Sequence, residues 1–206
     1  KLSLTIMNNI RRKSTMSISE DGLRKNQANF ASLSPLSFLE RTRKTFPNQT
    51  AIEYKDYKLS YKQAGQRCDA LANLIKNQNF NSGTTIAVML PNIPVMWECH
   101  FGVPMATGVL NAINTRLDSH TVQFILEHGE AKLFIYDSEY SPIVEKALVN
   151  LKNPPTVIEF VDEVAGNKRS NFANKVNCLD YETELKNFAG TTFEHVLPND
   201  EWNSIA

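Results

Sequence analysis

One stretch, residues 84–117, constrains the fold more than any other part of this chain. It opens on the apolar run 86–90, which is too short for a helix and lacks polar alternation, as in a strand buried on both faces. A largely apolar segment follows at 94–106 and starts with a proline, which suits the first turn of a helix. The run 109–113 is typical of a second buried strand. Strand, helix and strand within about thirty residues predict a βαβ unit, whose right-handed crossover places both strands in a parallel sheet.

A helix, a hairpin and a second helix are predicted ahead of this unit. The pair Ser34-Pro35 is typical of the cap and first residue of a helix. Two short runs, 51–54 and 57–60, are separated by two residues and predict a β-hairpin. The spacing Ser60-x-x-Gln63 is that of a capping box. The helix that it opens has an apolar face at helical spacing, formed by Ala64, Cys68, Leu71 and Ile75.

Strands and helices continue to alternate after the unit. Asp118 has the position of a helix cap, and Gly129 has that of a left-handed helix end. The remaining segments predict, in order, a strand, a helix, a strand, a polar loop and a short helix: 131–136, 142–151, 156–161, 162–177 and 181–188. This alternation predicts an α/β fold with a doubly wound, mostly parallel sheet flanked by helices.

The charge and cysteine content argue against several kinds of protein. Lys plus Arg and Asp plus Glu each number 22, and this balance gives no indication of nucleic acid or an anionic membrane surface as a partner. The longest apolar runs fall well short of the roughly 20 residues that span a membrane. Cys68, Cys99 and Cys178 form no zinc or disulfide pattern, so we expect them to be buried hydrophobes. These features predict a soluble protein of a reducing compartment, with a cytoplasmic location.

Residues 1–29 differ from the rest of the chain. They are rich in Ser, Thr, Asn and basic residues, and they begin with Lys rather than Met, which suggests a fragment or a misplaced start. A mitochondrial presequence has a similar composition, but the few apolar residues and the acidic pair Glu20-Asp21 argue against one. We therefore expect a loose extension at 1–29, followed by domain sequence at 30–206; the length of the chain fits one domain or one and a half.

No complete catalytic set can be recognised from residue spacing. Ligands of an open α/β sheet bind at the carboxyl ends of its strands. The sequence contains no G-x-G-x-x-G, no G-x-x-x-x-G-K-[ST] and no G-x-S-x-G, and the segment 91–94 has no glycine that would let a pyrophosphate come close. The histidines lack a partner at i, i+4 and are expected to be structural or exposed; they are His100, His120, His128 and His195.

The loop Asn114, Thr115, Arg116 is the stronger candidate for a binding site. It follows a buried strand, so it lies where sites form in such folds. It offers hydrogen-bond donors and a permanent cation that suits phosphate. A turn with a surface arginine is the competing interpretation.

Several segments together resemble the amino-terminal part of the AMP-forming acyl-CoA synthetases, within the adenylate-forming enzyme superfamily. Their order and spacing are most similar to the short- and medium-chain fatty acyl-CoA synthetases of bacteria and the related plant acyl-activating enzymes. The segments are LSPLSFLER (33–41), LSY (59–61), IAVMLPN (86–92), HFGVPM (100–105), LNAINTRLD (110–118), FILEHGEAK (124–132) and DEWNSIA (200–206).

The resemblance implies a fatty acid–CoA ligase that uses ATP, coenzyme A and Mg²⁺. A carboxylate and ATP would give acyl-AMP and pyrophosphate, and coenzyme A would then displace AMP. The resemblance also implies that 30–206 are a partial AMP-binding domain, the first subdomain of the large domain, truncated before the ATP phosphate loop and the catalytic lysine. The fragment would be inactive and hold no catalytic residue, while Asn114, Thr115 and Arg116 would approach coenzyme A.

Two other functions stay open at this point. A non-catalytic α/β interaction module could have kept this subdomain alone. A different nucleotide-using α/β enzyme, such as a dehydrogenase, is disfavoured because the sequence lacks a glycine-rich phosphate loop.

Overall fold

The computed structural model describes residues 34–149, 151–176 and 178–194. The expectations for 1–29, for His195 and for the segment 200–206 lie outside these residues. The helices are α1 (Pro35–Thr45), α2 (Tyr61–Asn77), α3 (Pro94–Met105), α4 (Ser119–His128), α5 (Ser141–Leu148), α6 (Asn171–Lys175) and α7 (Tyr181–Asn187). The strands are β1 (Thr50–Tyr54), β2 (Tyr57–Ser60), β3 (Thr85–Met89), β4 (Val109–Ala112), β5 (Leu133–Asp137), β6 (Thr156–Phe160) and β7 (Leu179–Asp180).

The main sheet has the strand order β4-β3-β5-β6-β7, and every neighbouring pair in it is parallel. The strands β1 and β2 form a separate antiparallel hairpin. From β3 the chain first crosses to β4 on one side and then returns to place β5 on the other. This is the order of a doubly wound fold whose direction reverses at its first strand. The predicted βαβ unit and fold class are therefore confirmed.

Local sequence signals account for the starts of the helices. The Ser34 hydroxyl accepts a hydrogen bond from the Leu36 backbone N–H at 3.1 Å, and Pro35 begins α1 as predicted. Ser60 and Gln63 form the reciprocal pair of the predicted capping box at the start of α2. Asp118 caps α4 by accepting hydrogen bonds from two backbone N–H groups.

Alternating side chains of the central strands divide the core into two clusters, one on each face of the sheet. In β3, Ile86 and Val88 enter one cluster, while Ala87 and Met89 enter the other. Helices α1, α2, α3 and α7 cover the first face, and α4, α5 and α6 cover the second. The continuous apolar run that predicted β3 reflects this burial on both faces.

Close helix packing explains an unusual feature of α3. A Cβ added at Gly102 would lie 2.8 Å from Leu71 Cδ2, so only glycine allows α2 and α3 to approach this closely.

Cys68, Cys99 and Cys178 are buried and unpaired, as predicted for small hydrophobic residues. None of the helices formed by the described residues combines the length and apolar character that a membrane span requires.

The expectation that Gly129 ends α4 in the left-handed conformation is wrong. Its φ is −78°, and the following residue, Glu130, takes the left-handed φ of 49° instead. Glycine is needed at this position for space, because an added Cβ would lie 3.0 Å from the Ile125 carbonyl oxygen and 3.2 Å from Asn111 Nδ2.

The expectation of a structureless loop at 162–177 is also wrong. A 3₁₀ turn at Glu163–Ala165 and helix α6 form there, and Phe172 and Ala173 are buried against the second core cluster. Two apolar residues are too few to produce a periodic pattern, which explains why the sequence did not reveal the helix. The two-residue strand β7 was missed for the same reason.

Candidate functional site

The parallel strands end at one edge of the sheet and bring several loops together there. The order of the chain reverses at β3, so the loops after β4 and β5 lie on either side of the end of β3. Such a reversal is the usual position for a ligand in a doubly wound fold. The loop Asn114–Arg116 follows β4, and the 3₁₀ turn Ser138–Tyr140 follows β5. The predicted site residues therefore lie at the edge where binding was expected.

The loop after β4 has a defined backbone. The Ile113 N–H donates to the Val88 carbonyl oxygen at 2.7 Å and anchors the beginning of the loop to β3. The Asn114 side-chain oxygen accepts a hydrogen bond from the Arg116 backbone N–H at 2.9 Å, which closes a tight turn. Asn114 and Arg116 are exposed, whereas Thr115 between them is half-buried.

Tyr140, in the neighbouring loop, is half-buried, and its ring packs against the second core cluster. Burial raises the pKa of Tyr140, and the nearby Thr115 side chain opposes that rise. Leu117, which follows Arg116, packs against the same cluster, so the loops after β4 and β5 share this part of the core.

Arg116 places an exposed cation at this edge of the sheet. Within residues 34–149, 151–176 and 178–194 it forms no ion pair. The start of α4 is already occupied by the Asp118 carboxylate, and hydrogen bonds from Thr121 and His120 lower the pKa of Asp118. The Asp118 carboxylate therefore takes the place at the helix terminus that an anionic ligand would otherwise occupy.

A second polar cluster, which the sequence analysis did not identify, joins α2, α3 and α7. Arg67 Nε donates to Glu98 Oε1 at 2.5 Å, and Arg67 Nη1 donates to Glu182 Oε2 at 3.0 Å. The Tyr181 hydroxyl donates to Glu98 Oε2 at 2.8 Å. A single acidic residue, Glu98, within an otherwise largely apolar helix was the signal that could have revealed this cluster.

The cluster holds an ionised pair in a largely apolar setting. Burial raises the pKa of Glu98, and the charge and hydrogen bonds of Arg67 oppose that rise. Burial also raises the pKa of the Tyr181 hydroxyl well above its ordinary range. Every polar atom of Glu98 has a partner, as expected of a buried charge that is retained.

A cavity of about 480 Å³ lies in front of Arg67 and Glu98. The hairpin and the loop after β6 meet beside it, where the Tyr54 hydroxyl donates to Asp162 Oδ2 at 2.6 Å. That hydrogen bond is the main cause that raises the pKa of Tyr54 to about 12. Lys55 Nζ donates to the Val164 carbonyl oxygen at 3.2 Å and adds a second contact between the two segments.

Asp137, the last residue of β5, is buried, and only one of its two carboxylate oxygens has hydrogen-bond partners among the described residues. Its Oδ1 accepts hydrogen bonds from the Glu139 backbone N–H at 2.9 Å and from Asn167 Nδ2 at 3.1 Å. Its Oδ2 has no partner among the described residues. Burial, reinforced by the charge of Asp162, raises the pKa of Asp137.

The residues that the structure describes provide no grouping of three His, Cys, Asp or Glu side chains that could hold a metal ion. His100, His120 and His128 are exposed, in agreement with the prediction for them. His100 Nδ1 lies 2.8 Å from the Met96 carbonyl oxygen of its own helix.

A sequence profile decides the family. The profile of the AMP-binding enzymes matches residues 39–195, which is more than half of the chain. The chain belongs to the AMP-binding enzyme family. The match includes the loop Asn114–Arg116 and the polar cluster around Arg67.

Several curated relatives of the chain are named as CoA ligases. The chain is 35% identical over 193 residues to an acetate–CoA ligase of Humulus lupulus, and 32% identical over 193 residues to a peroxisomal acetate/butyrate–CoA ligase of Arabidopsis thaliana. It is 43% identical over 128 residues to a peroxisomal trans-cinnamate:CoA ligase of Petunia hybrida. The first two alignments cover 90% of this chain and 34% of each relative, so the chain spans about a third of the length of these proteins.

Solved structures of adenylate-forming enzymes share the fold. The anthranilate CoA ligase AuaEII, in complex with anthranoyl-AMP, superimposes with a TM-score of 0.69 at 18% identity, over 85% of this chain and 31% of that chain. The coronafacic acid ligase of Pectobacterium brasiliense gives a TM-score of 0.65 at 12% identity, over 81% of this chain and 31% of that chain. At these identities the comparison establishes the AMP-binding enzyme fold alone.

Proposed function

We propose that this chain is the amino-terminal part of a CoA ligase that activates a short- or medium-chain carboxylate. In the first reaction the carboxylate attacks the α-phosphorus of ATP and releases pyrophosphate. In the second, the coenzyme A thiol attacks the acyl carbon, and AMP leaves. The observation that carries the proposal is the alignment of 90% of the chain with ligases that are named for acetate and butyrate.

The described residues fit a role in binding coenzyme A better than one in binding ATP. Arg116 is an exposed cation on a loop whose backbone is fixed by Asn114, and such a group suits the phosphates of coenzyme A. The sequence lacks a glycine-rich loop for the ATP phosphates. Mg²⁺ would neutralise those phosphates, but the described part of the chain offers no ligand cluster for it. The chain covers 34% of each of the first two relatives, and we propose that the longer form of the protein binds ATP and Mg²⁺.

Titration of the 206-residue chain with coenzyme A tests this proposal directly. Isothermal titration calorimetry should detect binding, and Arg116→Gln should weaken it about tenfold, because a charged hydrogen bond to phosphate is lost. Lys132→Gln is a matched control, since Lys132 is also exposed but precedes β5 at the opposite edge of the sheet. A chain that does not bind coenzyme A would favour the non-catalytic interaction module instead.

The activity itself requires a second test. The 206-residue chain should show no carboxylate-dependent release of pyrophosphate from ATP. Sequencing of the gene beyond the codon for Ala206 should reveal a Ser/Thr/Gly-rich segment that continues the reading frame. Formation of acyl-AMP by the 206 residues alone would contradict the proposal.

The cytoplasmic location remains a prediction; the Arabidopsis acetate/butyrate–CoA ligase and the Petunia trans-cinnamate:CoA ligase are both named as peroxisomal.

A further inference from the structure

The cavity in front of Arg67 and Glu98 has a floor of tightly held charges. The Arg67 guanidinium donates two hydrogen bonds to Glu98 and two to Glu182. Glu98 is completely buried, whereas the Glu182 side chain is 40% exposed, and all three residues line the cavity. One cation between two carboxylates leaves an excess of one negative charge, and these hydrogen bonds fix its position before any ligand arrives.

Aromatic side chains form part of the wall around this floor. Tyr54, Tyr57 and Phe160 line the cavity, together with apolar residues of α3 and of the segment after β6. The Phe160 ring is held by an edge-to-face contact with Tyr181, with the ring centroids 5.8 Å apart. The face of an aromatic ring attracts a cation, and Lys55 Nζ already lies 5.4 Å from the centroid of the Tyr54 ring. The wall therefore suits both the charged group and the apolar body of an organic cation.

The polar residues of the lining carry an excess of negative charge. Two cations, Arg67 and Lys186, line the cavity with five carboxylates, which belong to Glu98, Asp162, Glu163, Asp180 and Glu182. A concave surface of this kind raises the local concentration of cations and repels carboxylates and phosphates. Burial raises the pKa of the half-buried Tyr57, so its hydroxyl stays protonated at neutral pH and can accept a hydrogen bond from an ammonium group. The cavity therefore disfavours fatty acids, ATP and coenzyme A.

We propose that this cavity binds a small organic cation, an ammonium group that carries an aromatic or branched apolar body. The ammonium group would lie against Glu182 and the Tyr57 hydroxyl, and the body would pack against Phe160 and α3. A volume of about 480 Å³ is within the range of about 300–1,000 Å³ that small-molecule sites have. The described residues that line the cavity do not include the loop Asn114–Arg116, so this site is separate from the one proposed for coenzyme A.

Isothermal titration calorimetry of the 206-residue chain with phenethylamine tests the proposal. Binding should be detected with a dissociation constant of about 1 mM or below, as expected for so small a ligand. Phenethyl alcohol has the same ring without the charge and should bind at least about fivefold more weakly. Phenylacetate has the same ring with a negative charge and should not bind.

Substitutions locate the bound cation. Glu182→Gln leaves Arg67 paired with Glu98 and should weaken phenethylamine binding about fivefold, because it removes a charged partner of the ammonium group. Glu184→Gln is the matched control, since Glu184 lies on the same helix but does not line the cavity. Tyr57→Leu should also weaken binding about fivefold, whereas Tyr57→Phe retains the ring and should keep most of the affinity.

Several results would overturn the proposal. They are a failure of the unaltered chain to bind phenethylamine, equal binding of phenylacetate, and equal effects of Glu182→Gln and Glu184→Gln. Displacement of phenethylamine by coenzyme A would also overturn it, because the two sites would not be separate. The two proposals can fail independently. A chain that binds phenethylamine but not coenzyme A refutes the proposed function alone, and the reverse result refutes this inference alone.

Discussion

Thr107, an exposed residue between α3 and β4, has a φ of 61°. A β-branched residue in this left-handed region is strained by about 1–3 kcal/mol. Thr107→Gly removes the strain, although glycine loses more conformational entropy on folding, by about 0.5–1 kcal/mol. We therefore expect the free energy of unfolding to rise by about 1 kcal/mol, as measured by urea titration. The hydrogen bond from the Gly83 N–H to the carbonyl oxygen of residue 107 is retained.

Asn79 provides the matched control for this substitution. It is also exposed and has a φ of 56°, but asparagine adopts the left-handed conformation readily. Asn79→Gly should change the free energy of unfolding by less than about 0.5 kcal/mol. Equal effects at both positions would show that Thr107 is not strained.

Asp137 makes stability depend on pH in an unusual direction. Because burial raises its native pKa above the unfolded value of about 3.9, the native state binds the proton more tightly than the unfolded state. The contribution of Asp137 to the free energy of unfolding therefore rises as the pH falls through the native pKa. Asp137→Asn keeps an acceptor for the Glu139 N–H and removes the charge near Asp162, so it should stabilise the protein by about 1 kcal/mol at pH 7.

Urea titrations at pH 7 and pH 5 check this expectation. The gain from Asp137→Asn should shrink at the lower pH, where aspartate itself takes up a proton. Asp137→Ala should destabilise the protein at both values, because it leaves the Glu139 N–H and the Asn167 side chain without their acceptor. A gain that does not vary with pH would refute the assignment.

Helices and strands were predictable from the sequence where a physical signal repeats along the chain. The capping box of α2, the hairpin and the buried strands β3 and β4 were predicted because each depends on several residues with a fixed spacing. Helix α6 and strand β7 were missed because five and two residues carry no period. Glycine is needed at position 129 partly because Asn111 of β4 lies where a Cβ would be, and no local pattern records that neighbour.

The packing of α2 and α3 with α7 leads to a prediction about Arg67. Arg67→Met would leave Glu98 buried as an unpaired charge, and such a loss costs about 3–5 kcal/mol. The cost should be smaller at pH 5 than at pH 8. Without Arg67 the native pKa of Glu98 rises further, so the native variant takes up a proton, and is stabilised, as the pH falls. Chemical unfolding at the two pH values measures both effects.

One control and one milder substitution accompany this test. Lys58→Met removes an ion pair with Glu53 in which both side chains are mostly exposed, at 58% and 60%, and should cost less than about 1 kcal/mol. If Arg67→Met prevents folding, Tyr181→Phe is a milder substitution that removes a single hydrogen bond to Glu98. A cost at Arg67 no larger than that at Lys58 would show that the cluster contributes little.

In the molecule as a whole, the sequence predicted a sheet with helices on both faces, but it did not predict the contacts between distant segments. The alternation of strands and helices was enough to predict a parallel sheet, which has a core cluster on each face. It also placed the loop Asn114–Arg116 at the carboxyl edge. The pairing of Tyr54 with Asp162 across 108 positions could not be predicted, since it depends on how separate elements pack.

The surface of the whole molecule leads to a prediction about self-association. Large apolar side chains are exposed on both faces: Phe38 (55%) and Phe46 (50%) on the side of α1, and Phe124 (59%) on α4. Such exposure favours association between copies. Sedimentation velocity should show a weight-average mass that rises from low to high micromolar concentration. Phe38→Ser and Phe124→Ser should each reduce the rise, and their combination should reduce it further, because the two helices cover opposite faces of the sheet. A chain that stays monomeric throughout this range would contradict the prediction.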